Sequence, residues 1–207
     1  MSTKSVRIVA HAGRPREFDM NEALDKAVNV FRQKGFEGTS LDDLTLATGI
    51  NRPSLYAAFG NKEELFRKAL DRYVEQGLER LQGALSEPTA YRAVERIFMN
   101  IVEKSSCSDA RGCLLVQGAL ACGDEAQPIR QELAARRQQI EVIFRQRFER
   151  AIAEGDLPSG TSASNLAAFI ATVVQGMSVQ SSGGASREAL QGIAHMALRA
   201  FPVASQA

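Results

Sequence analysis

Three helix starts crowd into one short stretch of this chain, and that crowding limits the fold more than any other feature. Asp19 with Glu22, Ser40 with Asp43 and Asn61 with Glu64 each place an oxygen-bearing cap three residues ahead of an acid. That spacing satisfies backbone N–H groups that a helix start leaves open. Leu24, Ala27, Val28 and Phe31 recur at helical period before Gly35, which reads as the end of the first helix. Gly49 falls between the second and third helices, where a tight turn needs a residue at positive φ. Ile50 and Leu55 are spaced to pack these two helices together, with Leu44 opposite. Pro53 fits the first turn of the third helix, where a missing N–H costs nothing.

The rest of the chain keeps a helical period. From Asn61 the residues Phe66, Leu70, Tyr73, Gly77 and Leu81 mark a long helix. Pro88 is expected in the first turn of the next, whose stripe is Tyr91, Val94, Ile97, Phe98, Ile101 and Val102. GCLLVQGALAC, from Gly112, reads as a short buried helix. A long helix is expected from Pro128 to about Glu154, then, after the break GDLPSG, two more at roughly 162–180 and 186–201. No strand pattern is found. The expected fold is all-α with about nine helices: an arm at 1–17, a small head at 18–60 and a larger helical domain at 61–207.

With its apolar stripe turned inward, the third helix leaves Arg52, Ser54 and Tyr56 free of core duties. A helix–turn–helix of this form places its second helix in the major groove of DNA. There arginine reads guanine O6 and N7 in two-pronged fashion, and hydroxyls reach phosphates. Lys62 and Thr39, at helix starts, sit where backbone N–H groups already favour an anion. The expected DNA-binding set is Thr39, Ser40, Asn51, Arg52, Pro53, Ser54, Tyr56 and Lys62. Lys4, Arg7, Arg14 and Arg16, with no acid among the first 16 residues, suggest a flexible basic arm. The formal net charge of +1 is no objection, because DNA binding needs a local basic patch.

The stretch FEGTSLDDLTLATGINRPSLYAAFGNKEELF resembles the DNA-binding head of the TetR family of bacterial transcriptional regulators. The resemblance rests on Gly35-Phe36, Thr39-Ser40, Ala47-Thr48-Gly49-Ile50, Ser54-Leu55-Tyr56, Phe59, Lys62-Glu63 and Leu65-Phe66, and covers about 18–68. It implies a homodimer through the last two helices, a palindromic double-stranded DNA operator, and repression released by a small-molecule effector. Ala167, Ala168, Ala171 and Gly176 would let the dimer helices approach closely, and fit packing inside one subunit equally well. Two positions depart from the family pattern. Asp42 stands where several relatives carry a DNA-touching residue, and Ala58 replaces a common histidine.

For the effector, the expected pocket residues are Phe98, Met99, Val102, Leu114, Val116, Gln117, Phe144, Phe148 and Gln175, each of which also fits ordinary core packing. They predict an uncharged or weakly polar ligand. A thiol reading competes. Cys107 lies near Lys104 and Arg111, which favour thiolate, and Cys113 or Cys122 could resolve it. Three cysteines in a chain without a secretory signal argue against a disulfide framework or zinc site. No catalytic motif, cofactor motif or apolar run of ~18 residues is found, so a cytoplasmic protein without enzyme activity, cofactor or membrane contact is expected. A further alternative is an interaction adaptor that keeps the head's shape without binding DNA.

Overall fold

Local capping decides most of the architecture. The computed structural model describes residues 18–105, 113–116 and 126–204. Within them α1 spans Met20–Lys34, α2 Leu41–Thr48, α3 Arg52–Phe59 and α4 Lys62–Leu85. Then come α5 at Ala90–Lys104, α6 at Gln127–Ala153, α7 at Ala163–Ser182 and α8 at Arg187–Arg199. A further helical stretch covers 114–116. The described residues contain no strand.

Asp19, Ser40 and Asn61 cap α1, α2 and α4, and the last two close reciprocal boxes with Asp43 and Glu64. Pro88 is a correction. It lies ahead of α5 instead of in its first turn, and Thr89 is the cap, accepting from the Arg92 N–H. A second group serves the same helix start: the Asp156 carboxylate accepts from Ala90 N–H at 2.6 Å. The break after α6 thereby fastens the start of α5.

Two apolar cores result. The head core gathers Ala27, Phe31, Leu44, Leu55 and Phe59 with Leu65, Phe66 and Leu70 of α4. Phe31 and Phe36 meet Phe66 edge-on, at 5.0 and 5.2 Å between ring centres. Leu114, Leu115, Ile129 and Leu133 join this cluster, so the start of α6 lies under the head. The body core is built from Val94, Phe98, Phe144, Phe148, Ile170, Met177, Leu198 and Phe201. Ile140 of α6 packs against both cores.

Ion pairs stitch α4 to its neighbours. Arg72 grips Asp25 of α1 through two hydrogen bonds, 2.6 and 2.7 Å. That grip, aided by Gln76, holds the Asp25 carboxyl below its ordinary range. Arg67 and Asp71 meet Glu132 and Arg136 of α6. Arg147 is the one charged side chain under the body's surface among the described residues. Its guanidinium donates to the carbonyls of Leu85 and Glu87 at 3.1 and 3.2 Å, closing the α4–α5 turn from below.

Candidate nucleic-acid interface

Gly49 turns the chain from α2 to α3. Its φ of 74° and ψ of 12° are left-handed, and its N–H donates to Thr45 O at 2.9 Å. At the other end of α3, Gly60 has φ 81°, and a Cβ there would lie 2.0 Å from Glu64 Oε2. No other residue type fits both demands. Between these corners α3 is anchored by Leu55 and Phe59, 2% and 0% exposed. Lys68 donates to the Phe59 carbonyl at 3.0 Å, placing a cation at the helix's negative end.

The opposite surface of α3 faces outward. Arg52, Pro53, Tyr56 and Ala57 are exposed and Ser54 is half-buried. The expected DNA-binding residues thus fall into two groups. Arg52, Pro53, Ser54 and Tyr56 share the outer face. The others are engaged in holding the head together. Thr39 is 1% exposed and its hydroxyl donates to Gly35 O at 2.6 Å. Ser40 Oγ accepts from Asp43 N–H and donates to Asp43 Oδ2. Asn51 Oδ1 accepts from Ser54 N–H at 2.9 Å. The Lys62 ammonium donates to Thr39 O at 2.8 Å and lies 4.6 Å from the centre of the Phe36 ring. Asp43 also accepts from Lys34 at 2.5 Å, and that bond, with those from Ser40, lowers its carboxyl to about 2.

Two features escaped the sequence reading. Arg52 donates to Asp42 Oδ1 at 2.6 Å, so the one unusual acid of α2 holds the guanidinium and raises its affinity for its proton. Leu46, 86% exposed, stands on the face of α2 away from Leu44. A helical wheel puts these two leucines on opposite sides, which was the available signal.

In the body, a cavity of about 190 Å³ opens between α4, α5 and α7. A smaller one of about 50 Å³ shares Cys113, Val174 and Ser178 with it. Of the pocket candidates named above, Phe144, Val116 and Gln175 line the smaller cavity. Phe98, Val102, Leu114 and Phe148 are fully buried core residues that line neither cavity, and Met99 lines neither. The expectations for Gln117, Cys107 and Cys122, and for the basic arm, lie outside the described residues. The larger cavity is lined from α4 by Tyr73, Gly77, Arg80 and Leu81, none of which was expected there. Burial, and then the adjacent Cys113 thiol, pushes the Tyr73 phenol well above its ordinary range. No group of three or more His, Cys, Asp or Glu side chains able to hold a metal comes together among the described residues. No described helix is long and apolar enough to cross a membrane.

Ala167 and Ala171 are buried inside the subunit, while Ala168 and Gly176 are exposed. Phe169 and Val179 of α7, with Ile193 and Met196 of α8, are large apolar side chains left in contact with solvent.

Comparison with known proteins places this geometry. Residues 23–69 match the family model "Bacterial regulatory proteins, tetR family", and 90–196 match "Tetracyclin repressor-like, C-terminal domain". The chain is 36% identical to the HTH-type transcriptional repressor ComR of Escherichia coli over 206 residues, 98% of each protein. It is 32% identical to the repressor BdcR of the same organism, covering 89% of this chain and 90% of that one. Among solved structures it resembles a cysteine mutant of the TetR-family regulator CifR complexed with 26 bp double-strand operator DNA. That match has 42% identity and a TM-score of 0.86, over 91% of this chain and 100% of the other. The capped head, the glycine corner and these matches agree: the chain belongs to the tetR family of bacterial regulatory proteins and is a DNA-binding transcriptional regulator.

Proposed function

We propose that this protein is a cytoplasmic, ligand-released repressor that acts by binding and not by catalysis. In this reading α3 enters the major groove, Arg52 reads a base edge, and Ser54 and Tyr56 touch phosphates. Ser40, Asn51 and Lys62 set the angle of α3 and contribute charge and backbone contacts. The observation that carries it is the rigidly capped α3 with its outer face open to solvent. The names of ComR and BdcR, both repressors, and the operator-bound form of CifR support the same direction.

The partner in this proposal is a second copy of the chain. Phe169, Val179, Ile193 and Met196 give α7 and α8 an apolar outer surface that self-association would cover. Two heads then stand one helical turn apart, ~34–36 Å, on a palindromic operator. A small molecule in the cavity beside α4 favours a spacing that no longer fits DNA. Arg52 must exchange Asp42 for a base or phosphate on docking, so Asp42 tunes which base it accepts.

An electrophoretic mobility shift with the DNA flanking the protein's own coding region tests the reading. A salt-sensitive shift that Arg52→Ala removes supports it. No shift with wild type at low salt leaves the adaptor alternative standing.

A further inference from the structure

The walls and the rim of the larger cavity differ in chemistry. Leu81, Ile97, Ile101 and Val174 make the walls apolar. Arg80 of α4 and Lys104 of α5, both reaching solvent, also line it, with Asn100. Neither cation forms an ion pair among the described residues. The groove just outside is lined by Arg80, Arg96, Glu103 and Lys104. Arg96 is already paired with Glu87, so among the described residues Glu103 is the one acid of that groove beside two cations without an ion pair. Partial burial, then repulsion from Arg80 and Arg32, lowers the Lys104 ammonium below the usual lysine range. Like charges gathered beside an apolar hollow cost free energy unless an anion joins them.

We propose that this cavity binds a small organic anion, its apolar body against Leu81, Ile97, Ile101 and Val174 and its carboxylate between Arg80 and Lys104. This replaces the uncharged ligand expected from sequence alone. The apolar walls exclude bare inorganic anions, which gain nothing from them. The volume, about 190 Å³ with the adjoining 50 Å³, suits one ring or a short chain. A carboxylate spanning Arg80 and Lys104 ties the C-terminal half of α4 to α5. The regulatory consequence rests on the repressor reading above; the binding itself does not.

Calorimetric titration of the full chain with phenylacetate and hexanoate, against phenylacetamide, hexanol and hexylamine, tests the assignment. The anions are expected to bind roughly tenfold or more tightly than their neutral and cationic counterparts. Arg80→Gln and Lys104→Gln should each lower anion affinity by about tenfold without lowering the melting temperature, since each removes one of two repelling charges. Lys104→Arg should restore most of it. Equal binding of the amide and alcohol, binding untouched by either substitution, or no anion binding at all overturns the proposal. The same titrations beside an operator mobility shift keep the two claims apart. Anion binding without operator release upholds the cavity assignment and removes the effector role. Operator binding with no anion affinity removes the assignment and leaves the repressor reading intact.

Discussion

The head and the body treat their polar groups in opposite ways. Around the glycine corner, Thr39, Ser40, Asn51 and Lys62 are all held by hydrogen bonds within the head. Around the body cavity, Arg80 and Lys104 have no ion-pair partner among the described residues, and space remains unfilled beside Gly77. A reading surface must hold one shape before its partner arrives, because ordering it on contact would cost affinity. A sensing surface must change when its partner arrives, so its unmet charge and empty volume are what a ligand can supply. The comparison separates rigidity in the reader from incompleteness in the sensor.

The largest expected effect sharpens the reader's side. Arg52→Ala should lower operator affinity by about 10- to 100-fold, measured by mobility shift, while thermal stability stays unchanged. Asp42→Asn should leave affinity within a few-fold of wild type and change the preferred base at one operator position, read by binding-site selection. An unchanged preference would remove Asp42 from the recognition scheme.

A break in the body comes next. Arg147→Ala removes two charge-assisted bonds to partly buried carbonyls, so it should cost about 2–3 kcal/mol in chemical denaturation. If the loss is under about 0.5 kcal/mol, solvent reaches the α4–α5 turn and the clamp is unimportant.

Gly77→Ala tests the empty space directly. Apart from its chain neighbours and the backbone of its own helix, nothing lies within 4 Å of a Cβ built at Gly77, and the residue is in mid-helix. The change should raise stability by about 0.5–1 kcal/mol while narrowing the cavity and weakening ligand binding. A stabilised protein with undiminished ligand affinity would move the site elsewhere.

The smallest effect concerns acid. Asp43 and Asp25 both have carboxyls below their ordinary range in the folded state. Their contribution is present above the unfolded carboxylate value, ~3.9, and fades as pH falls through the folded value, about 2 for Asp43. The head should therefore loosen between those limits, followed by circular dichroism. Asp43→Asn should flatten the dependence, and salt should shrink it because the Lys34 pair is exposed.

The head was legible because its signals are local. Asn61 and Glu64, or Ser40 and Asp43, meet within one helical turn, so spacing alone implies their contact. Pro88 misled because a proline also suits the residue before a cap, and Thr89 was the better cap. The cavity was harder to see for a physical reason. Apolar period marks the middle of a buried stripe, and Phe98 and Phe148 sit there, sealed in the core. Tyr73, Gly77 and Leu81 belong to the same period yet line the cavity, and whether a stripe residue meets a neighbour or a hollow depends on elements far along the chain. Arg147 was missed for the converse reason: it lies on an apolar stripe, and its partners are carbonyls that no sequence pattern advertises.

Helix α6 runs 27 residues, ~40 Å at 1.5 Å per residue. Its beginning is wedged beneath the head by Ile129 and Leu133, and its latter half is fixed among the body's aromatics by Phe144 and Phe148. Ile140, touching both, sits where a seesaw has its fulcrum. A stiff beam mounted this way cannot tip at one end and stay level at the other. A few degrees of tilt beside the smaller cavity, which Arg137, Ile140 and Phe144 line, would shift the end that supports the head by a distance that a groove can distinguish.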